Sequence, residues 1–301
     1  MSTLYWHFPV SGVETWLWLP PLVAFGLSFF CSMVGISGAF LLMPFQMSVL
    51  GYVSPSVSAT NLVFNLFATP GGVWRYVREG RMFWPLAALI ILGTLPGVVL
   101  GFYLRVLYLP DVSHFKLFVG LVLIFLSWRL LAEFSPWAAK RPAVSASTDM
   151  PLRLLDVGWR RVSFSFQGRE HGFSTPAMLI LALAVGIIGG TYGIGGGAII
   201  APFCITFFRL PVHMVAGAAL AGTFATSLIG VAVYTFLPLP GSAYAPIGTS
   251  AAPDWWLGSL FGMGGLAGMY LGAACQKHVP QRVLKGALGV LLAGLGASYL
   301  F

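Results

Sequence analysis

"GGTYGIGGGAIIAP", residues 189–202, sets glycine at 189, 190, 193 and 195–197 inside one of the greasiest stretches of the chain. Each glycine costs roughly 1 kcal/mol against alanine in a helix interior, so the pattern predicts a helix broken at its centre. The charge-free stretch around it, Pro176 to Phe208, would run ~50 Å as one helix at ~1.5 Å per residue. A bilayer core is only ~30 Å thick. The segment is too long for one crossing and too short for two. Two arrangements fit: a long kinked crossing, or a re-entrant pair of half-helices turning at the glycines.

The stretch has a second copy. "GISGAFLLMPF" (35–45) matches "GIGGGAIIAPF" (193–203) without a gap, and "NLFAT" (65–69) matches "GTFAT" (222–226). "GVVLG" (97–101) matches "GMYLG" (268–272), and "FKLFVGLVL" (115–123) matches "LKGALGVLL" (284–292). Each match alone is weak, but the shared order predicts a duplicated unit. The expected fold is an all-α polytopic membrane protein with two homologous repeats of about four helical segments each. The first segment of each repeat is broken or re-entrant at its glycine motif. The first repeat is expected over 1–133, a cytoplasmic linker over 134–175 and the second repeat over 176–301. Within the linker, "VSFSF" (162–166) alternates as a strand does and predicts one β-hairpin.

Composition supports a membrane location. The chain is 58% hydrophobic and 8% charged, against ~25% charged for a soluble domain, and its mean hydropathy is +0.88. Thr15 to Trp74 carries no ionisable side chain of the Asp, Glu, Lys, Arg or His types. The first twenty residues lack Lys and Arg, so no cleavable signal peptide is expected. A net charge of +8 could fit nucleic acid, but the basic residues fall between apolar segments: Arg75, Arg78 and Arg81; Lys140 to Arg169; Lys277, Arg282 and Lys285. That is the positive-inside pattern, which makes the lipid bilayer the partner and excludes nucleic acid.

Loop charge also arbitrates the topology. If each glycine-broken segment returns to its own side, all three basic clusters fall inside, and the uncharged loops at 51–55 and 238–253 fall outside. Each unit then contributes an odd number of crossings, and the two repeats are inverted; parallel repeats are the alternative. Arg105 and Lys116 are the misfits, since this arrangement puts them outside.

The apolar spans offer little catalytic chemistry. "GIGGG" is not followed by the Gly-Lys-Ser/Thr of a phosphate loop. Cys31, Cys204 and Cys275 have no metal or disulfide spacing. The eight acids (Glu14, Glu79, Asp111, Glu133, Asp149, Asp156, Glu170 and Asp254) fall at or beyond predicted span ends. No enzyme activity, cofactor or metal is therefore expected, and no buried proton relay is evident.

What remains is anion binding. A glycine turn that starts a helix presents free N–H groups and the positive end of the helix dipole. The candidate substrate-binding set is the backbone at Gly35, Ser37 and Gly38 and at Gly193, Gly195, Gly196 and Gly197. It is helped by the neutral donors Asn61, Asn65, Thr69, Thr223 and Thr226; Asn61 and Asn65 share a helix face. Helix packing alone is the competing explanation of the glycines, and an inter-helix hydrogen bond that of the two asparagines. The repetition of the motif in both halves, beside hydroxyls and amides, favours a site. Gly264, Gly268 and Gly272, four residues apart, read as a packing stripe.

With these residues in view, the chain resembles the sulfite exporter TauE/SafE family. The resemblance rests on the paired "GISGAFLLMP" and "GIGGGAIIAP" motifs, the "FAT" segments that follow and the duplicated architecture. The chain departs in having Ser37-Gly38-Ala39 where the second copy has three glycines, and in its long linker. The resemblance implies a multi-pass permease of the inner (cytoplasmic) membrane for a small anionic substrate: sulfite, sulfoacetate or a related organosulfonate. An inside-negative potential drives such an anion outward by ~2.3 kcal/mol per charge per 100 mV, which favours export. An importer of a small sulfur-containing or other solute, and a membrane assembly partner with no transport cycle, are the alternatives.

Overall fold

A computed structural model describes residues 4–34, 36–80, 82–132, 153–166, 169–208, 210, 212–237, 251–275 and 279–300. Gly35, Arg81, Lys140, Lys277 and most of the 238–253 loop lie outside these residues, as does the linker before Arg153. The chain opens with an antiparallel hairpin of β1 (Tyr5–His7) and β2 (Glu14–Trp16) that its sequence pattern did not announce. There follow α1 (Leu19–Met33), α2 (Ala39–Ser48), α3 (Ser56–Ala68), α4 (Pro70–Arg78), α5 (Trp84–Tyr103) and α6 (Val112–Leu131). A π-helical turn, Leu104–Tyr108, continues α5. After a three-stranded sheet come α7 (Thr175–Tyr192), α8 (Gly197–Thr206), α9 (Val212–Phe236), α10 (Trp255–Cys275) and α11 (Gln281–Leu300).

Among the described residues, six helices are long and apolar enough to cross a membrane: α5 with its π turn, α6, α7, α9, α10 and α11. The chain is a polytopic helical membrane protein. Between α1 and α2, and between α7 and α8, the helix stops and restarts within a few residues. At the second break Gly193 (φ 86°) and Gly195 (φ 71°) take left-handed backbone, which L side chains rarely adopt. A Cβ at Gly193 would also collide with the Ser58 carbonyl.

Helix pairing follows the glycines. Gly93, Gly97 and Gly101 of α5 lie against the carbonyls of Leu179, Leu183 and Ile187 of α7. Gly264, Gly268 and Gly272 of α10 lie against the carbonyls of Pro21, Phe25 and Phe29 of α1 in the same way. The carbonyls in the two sets are separated by the same sequence offset that separates Gly35 from Gly193. Only glycine permits backbone this close. α5 also packs along α9 and α10 along α3, while α3 meets α9 and α6 meets α11. The last pair is antiparallel: Gly120 faces Gly296 and Tyr299, while Ser127 donates to the Gly289 carbonyl (2.7 Å) and Leu131 reaches Gly289.

Two elements depart from expectation. The linker holds a sheet of three strands, β3 (Arg153–Val157), β4 (Arg161–Phe166) and β5 (Arg169–Ser174), instead of one hairpin. Val162, Phe164 and Phe173 turn inward, and the rings of Phe164 and Phe173 meet Phe83 and Phe208. That buried face lets the sheet cap the bundle. Second, α3 ends at Ala68 and α4 restarts at Pro70, whose missing N–H cannot continue the helix, whereas α9 runs unbroken through the matching "GTFAT". α4 then lies exposed, with Trp74 outward and Arg75 paired to Glu79 at 2.8 Å, which raises the guanidinium pKa.

Gly97→Leu or Gly268→Leu should push its helix pair apart, at a cost of ~1–3 kcal/mol from overpacking alone. The thermal midpoint of detergent-purified protein should fall, while Gly294→Leu, at an open position, should leave it unchanged.

Candidate functional site

The two breaks meet across α3. Its Asn65 accepts from the Ser37 hydroxyl of the first break and donates from Nδ2 to the Gly193 carbonyl of the second, each at 3.5 Å. Both bonds sit at the outer limit of hydrogen-bond distance, so this buried amide is only loosely engaged. One turn away, Asn61 is firmly used. Its Nδ2 donates to the Ala39 carbonyl (3.1 Å) and its Oδ1 accepts from Gln46 (3.4 Å), which fixes α2 onto α3. Asn61 thus makes the inter-helix bonds of the plain packing reading, while Asn65 links the breaks to one another.

Two further contacts hold the breaks in place. The Tyr192 hydroxyl at the end of α7 donates to the Phe40 carbonyl in α2 (2.9 Å), and Ser58 of α3 donates to the Thr191 carbonyl (2.8 Å). α9 and α5 line the other side of the second break. Gly195 lies against Thr223 and the Ser227 hydroxyl, Gly196 against Thr94 and Thr226, and Gly197 against Ala219 and Thr223. A side chain at any of these glycines would fill space these neighbours already occupy. Thr226 donates to Thr94 (3.1 Å) and Thr223 to the Ala219 carbonyl (3.1 Å). Thr69 sits at the α3–α4 junction, where its hydroxyl returns to the Asn65 carbonyl (2.8 Å).

At the first break the Ser37 hydroxyl accepts from the Ala39 N–H (3.2 Å), serving as a local cap for α2. Gly38 packs against Ser28 of α1, whose hydroxyl would lie 2.5 Å from a Cβ there. Ser28 and Ser227 are both buried, and neither hydroxyl has a hydrogen-bond partner among the described residues. Each glycine break therefore carries one unpaired buried hydroxyl beside it. Ser28, Ser58, Thr94 and Tyr192 are the site neighbours that sequence reasoning missed. The only signal for Ser28 was a lone polar residue in an apolar run.

Chemically, the site is a set of neutral groups around two helix starts: first-turn N–H groups of α8, an asparagine amide and several hydroxyls. In α2 the Ala39, Phe40 and Leu41 N–H groups are already taken by Ser37 and Gly38. Among the described residues no group of three or more His, Cys, Asp or Glu could hold a metal ion. Asn61, Asn65, Thr191 and Thr226 have no exposed surface, so the site is shut in this conformation.

A helical bundle with six membrane-length helices, two of its segments broken around a shared polar centre, belongs to the class of membrane transporters. The sequence profile described as sulfite exporter TauE/SafE matches residues 21–299. The chain belongs to that family. It is also similar to the "Probable membrane transporter protein YunE" of Bacillus subtilis (strain 168), at 21% identity over 277 residues, covering 90% of this chain and 92% of that protein. No solved structure matches.

Removing an unpaired buried hydroxyl relieves a desolvation cost, so Ser28→Ala and Ser227→Ala should each stabilise the protein by ~1 kcal/mol. Asn61→Ala strands the Gln46 amide and the Ala39 carbonyl and should cost ~1–3 kcal/mol. Thermal unfolding in detergent reads all three; a stability loss in either serine variant would contradict the assignment.

Proposed function

We propose that this protein is a permease of the inner (cytoplasmic) membrane that moves a small sulfur-containing anion, such as sulfite, sulfoacetate or a related organosulfonate, outward down the membrane potential. The observation that carries the reading is the meeting of two helix breaks at Asn65, with an unpaired buried hydroxyl beside each. Neutral donors suit an oxyanion, because they contribute hydrogen bonds without a counter-charge that would trap the ligand. The binding groups are the backbone at Gly35, Ser37, Gly38 and Gly193 to Gly197, the amide of Asn65 and the hydroxyls of Thr223 and Thr226. Asn61 and Thr69 hold the frame.

The halves act as inverted repeats. This reading is supported by the exchanged glycine contacts and by the antiparallel crossing of α6 and α11, the matched segments of the two halves. Broken helices entering from opposite faces and meeting near the midplane are a recurrent transporter arrangement. Arg75 and Arg78 mark the cytoplasmic end, and the 51–55 segment marks the outer end.

Proteoliposomes loaded with radiolabelled sulfite and poised with an imposed potential test transport and its direction. Efflux should follow an inside-negative potential and fall at least tenfold in Gly195→Leu combined with Asn65→Leu. Unchanged flux in that variant would remove the site, and no flux in the wild type would remove the function. Cysteine labelling tests topology separately. Ser54→Cys should react from outside and Phe207→Cys from inside; reaction of both from one face would sink the inverted arrangement.

A further inference from the structure

The π-helical turn at the end of α5 holds an arginine that the anion site does not use. Arg105 is 0% exposed and is the largest fully buried side chain among the described residues. It lies within a membrane-length span. One terminal nitrogen donates to the Leu109 carbonyl and the other to the Val53 carbonyl (3.2 Å). The guanidinium lies over the Phe115 ring, 3.7 Å from its centre. Its Nε hydrogen has no partner among the described residues.

No carboxylate neutralises this charge among the described residues. Asp254, at the same end of the bundle, is committed to Ser11 (2.8 Å to the hydroxyl) and to the Leu257 N–H (3.1 Å). Asp111 is exposed and faces His114 at 3.4 Å. Carbonyls and an aromatic face share the positive charge without cancelling it. A buried cation without a counter-ion is costly, and an ionisable group inside a span points to a role in the substrate path. π-helical turns also gather at functional positions.

Arg105 lies one helical turn beyond a residue of α5 that touches the end of α7. Gly101, one turn earlier on α5, packs on Ile187, Gly190 and Thr191, just before the second break. Tyr234 of α9 lies within electrostatic range of the guanidinium, and its hydroxyl donates to the Gly190 carbonyl (3.0 Å). Residues from the 51–55 segment, the α5–α6 turn, α6 and α9 therefore surround one charge between the closed site and the end of the bundle carrying Val53.

We infer that Arg105 forms a second anion station, which receives a small oxyanion between the glycine-break site and the outer end. The inference rests on the permease reading above. The free Nε–H and the two terminal nitrogens form a donor fork that fits two oxygens of a sulfite or sulfonate group. The Val53 and Leu109 carbonyls hold that fork while the station is empty. The charge selects anions over neutral solutes of the same shape, a discrimination the neutral donors of the glycine site supply poorly.

Sulfite efflux from proteoliposomes tests the station, with uptake of neutral dimethyl sulfoxide measured beside it. Arg105→Gln should raise the sulfite KM at least tenfold and narrow the preference for sulfite over the neutral solute. Arg105→Lys, which keeps the charge and loses the fork, should raise KM less and keep the preference. An unchanged sulfite KM in Arg105→Gln overturns the station while leaving the permease reading intact; absent wild-type flux overturns both. A second measurement needs no variant. In the purified wild type, sulfoacetate, which does not consume the diketone as sulfite would, should slow modification of Arg105 by 2,3-butanedione several-fold, read by mass spectrometry, and dimethyl sulfoxide should not. Modification that sulfoacetate does not slow, or an Arg105 the reagent never reaches, counts against the station even if Arg105→Gln fails to assemble.

Discussion

Inside a bilayer no water is present to satisfy a backbone N–H or C=O, so every interruption of a helix must be answered by protein. This constraint organises the molecule. The break after Tyr192 is covered by Ser58, Asn65, Thr94, Thr223 and Thr226 from three other helices. The break after Met33 is covered by Ser28, Asn61 and Asn65. Helix α3 supplies partners to both and acts as the strut between them. Its polar residues lie in the bundle because two unwound segments need them there.

A second consequence concerns how tightly the helices can approach. Stripes of glycine on α5 and α10 place backbone directly on backbone, which fixes the depth at which each broken helix sits. The breaks reach one another because their carrier helices are clamped at defined heights. Packing and binding are therefore not competing explanations of these glycines. Gly97 and Gly268 set position, and Gly193 and Gly195 set local backbone shape.

Much of this was legible in the residues. Charge-free stretches announced the spans, and clustered glycine announced the break at 193–197, because both signals are local. The similar segments "GVVLG" and "GMYLG" fall on α5 and α10, whose glycines meet α7 and α1, but nothing in the sequence foretold those pairings. Other features depend on tertiary context and left little trace. Ser28 and Thr94 are lone polar residues in apolar runs, and only packing brings them beside Gly38 and Gly196. Arg105 was read as a charge in an outer loop, yet its helix extends by a π turn and draws it under Val53 and Phe115. The third strand of the linker sheet escaped notice because "REHGFS" does not alternate. The end of α3 was foreshadowed by Pro70, but nothing local showed that α9 would run straight through the corresponding position.

The exchanged pairing of helices also bears on how the chain is made. The glycine stripe on α5 is answered by α7, across the linker, and α1 finds its mate only in α10. Neither half carries the partner for its own broken helix. During synthesis α1 must wait in lipid until α10 emerges. Two pieces divided between α6 and α7 and expressed as separate polypeptides should each be unstable alone but able to complement one another.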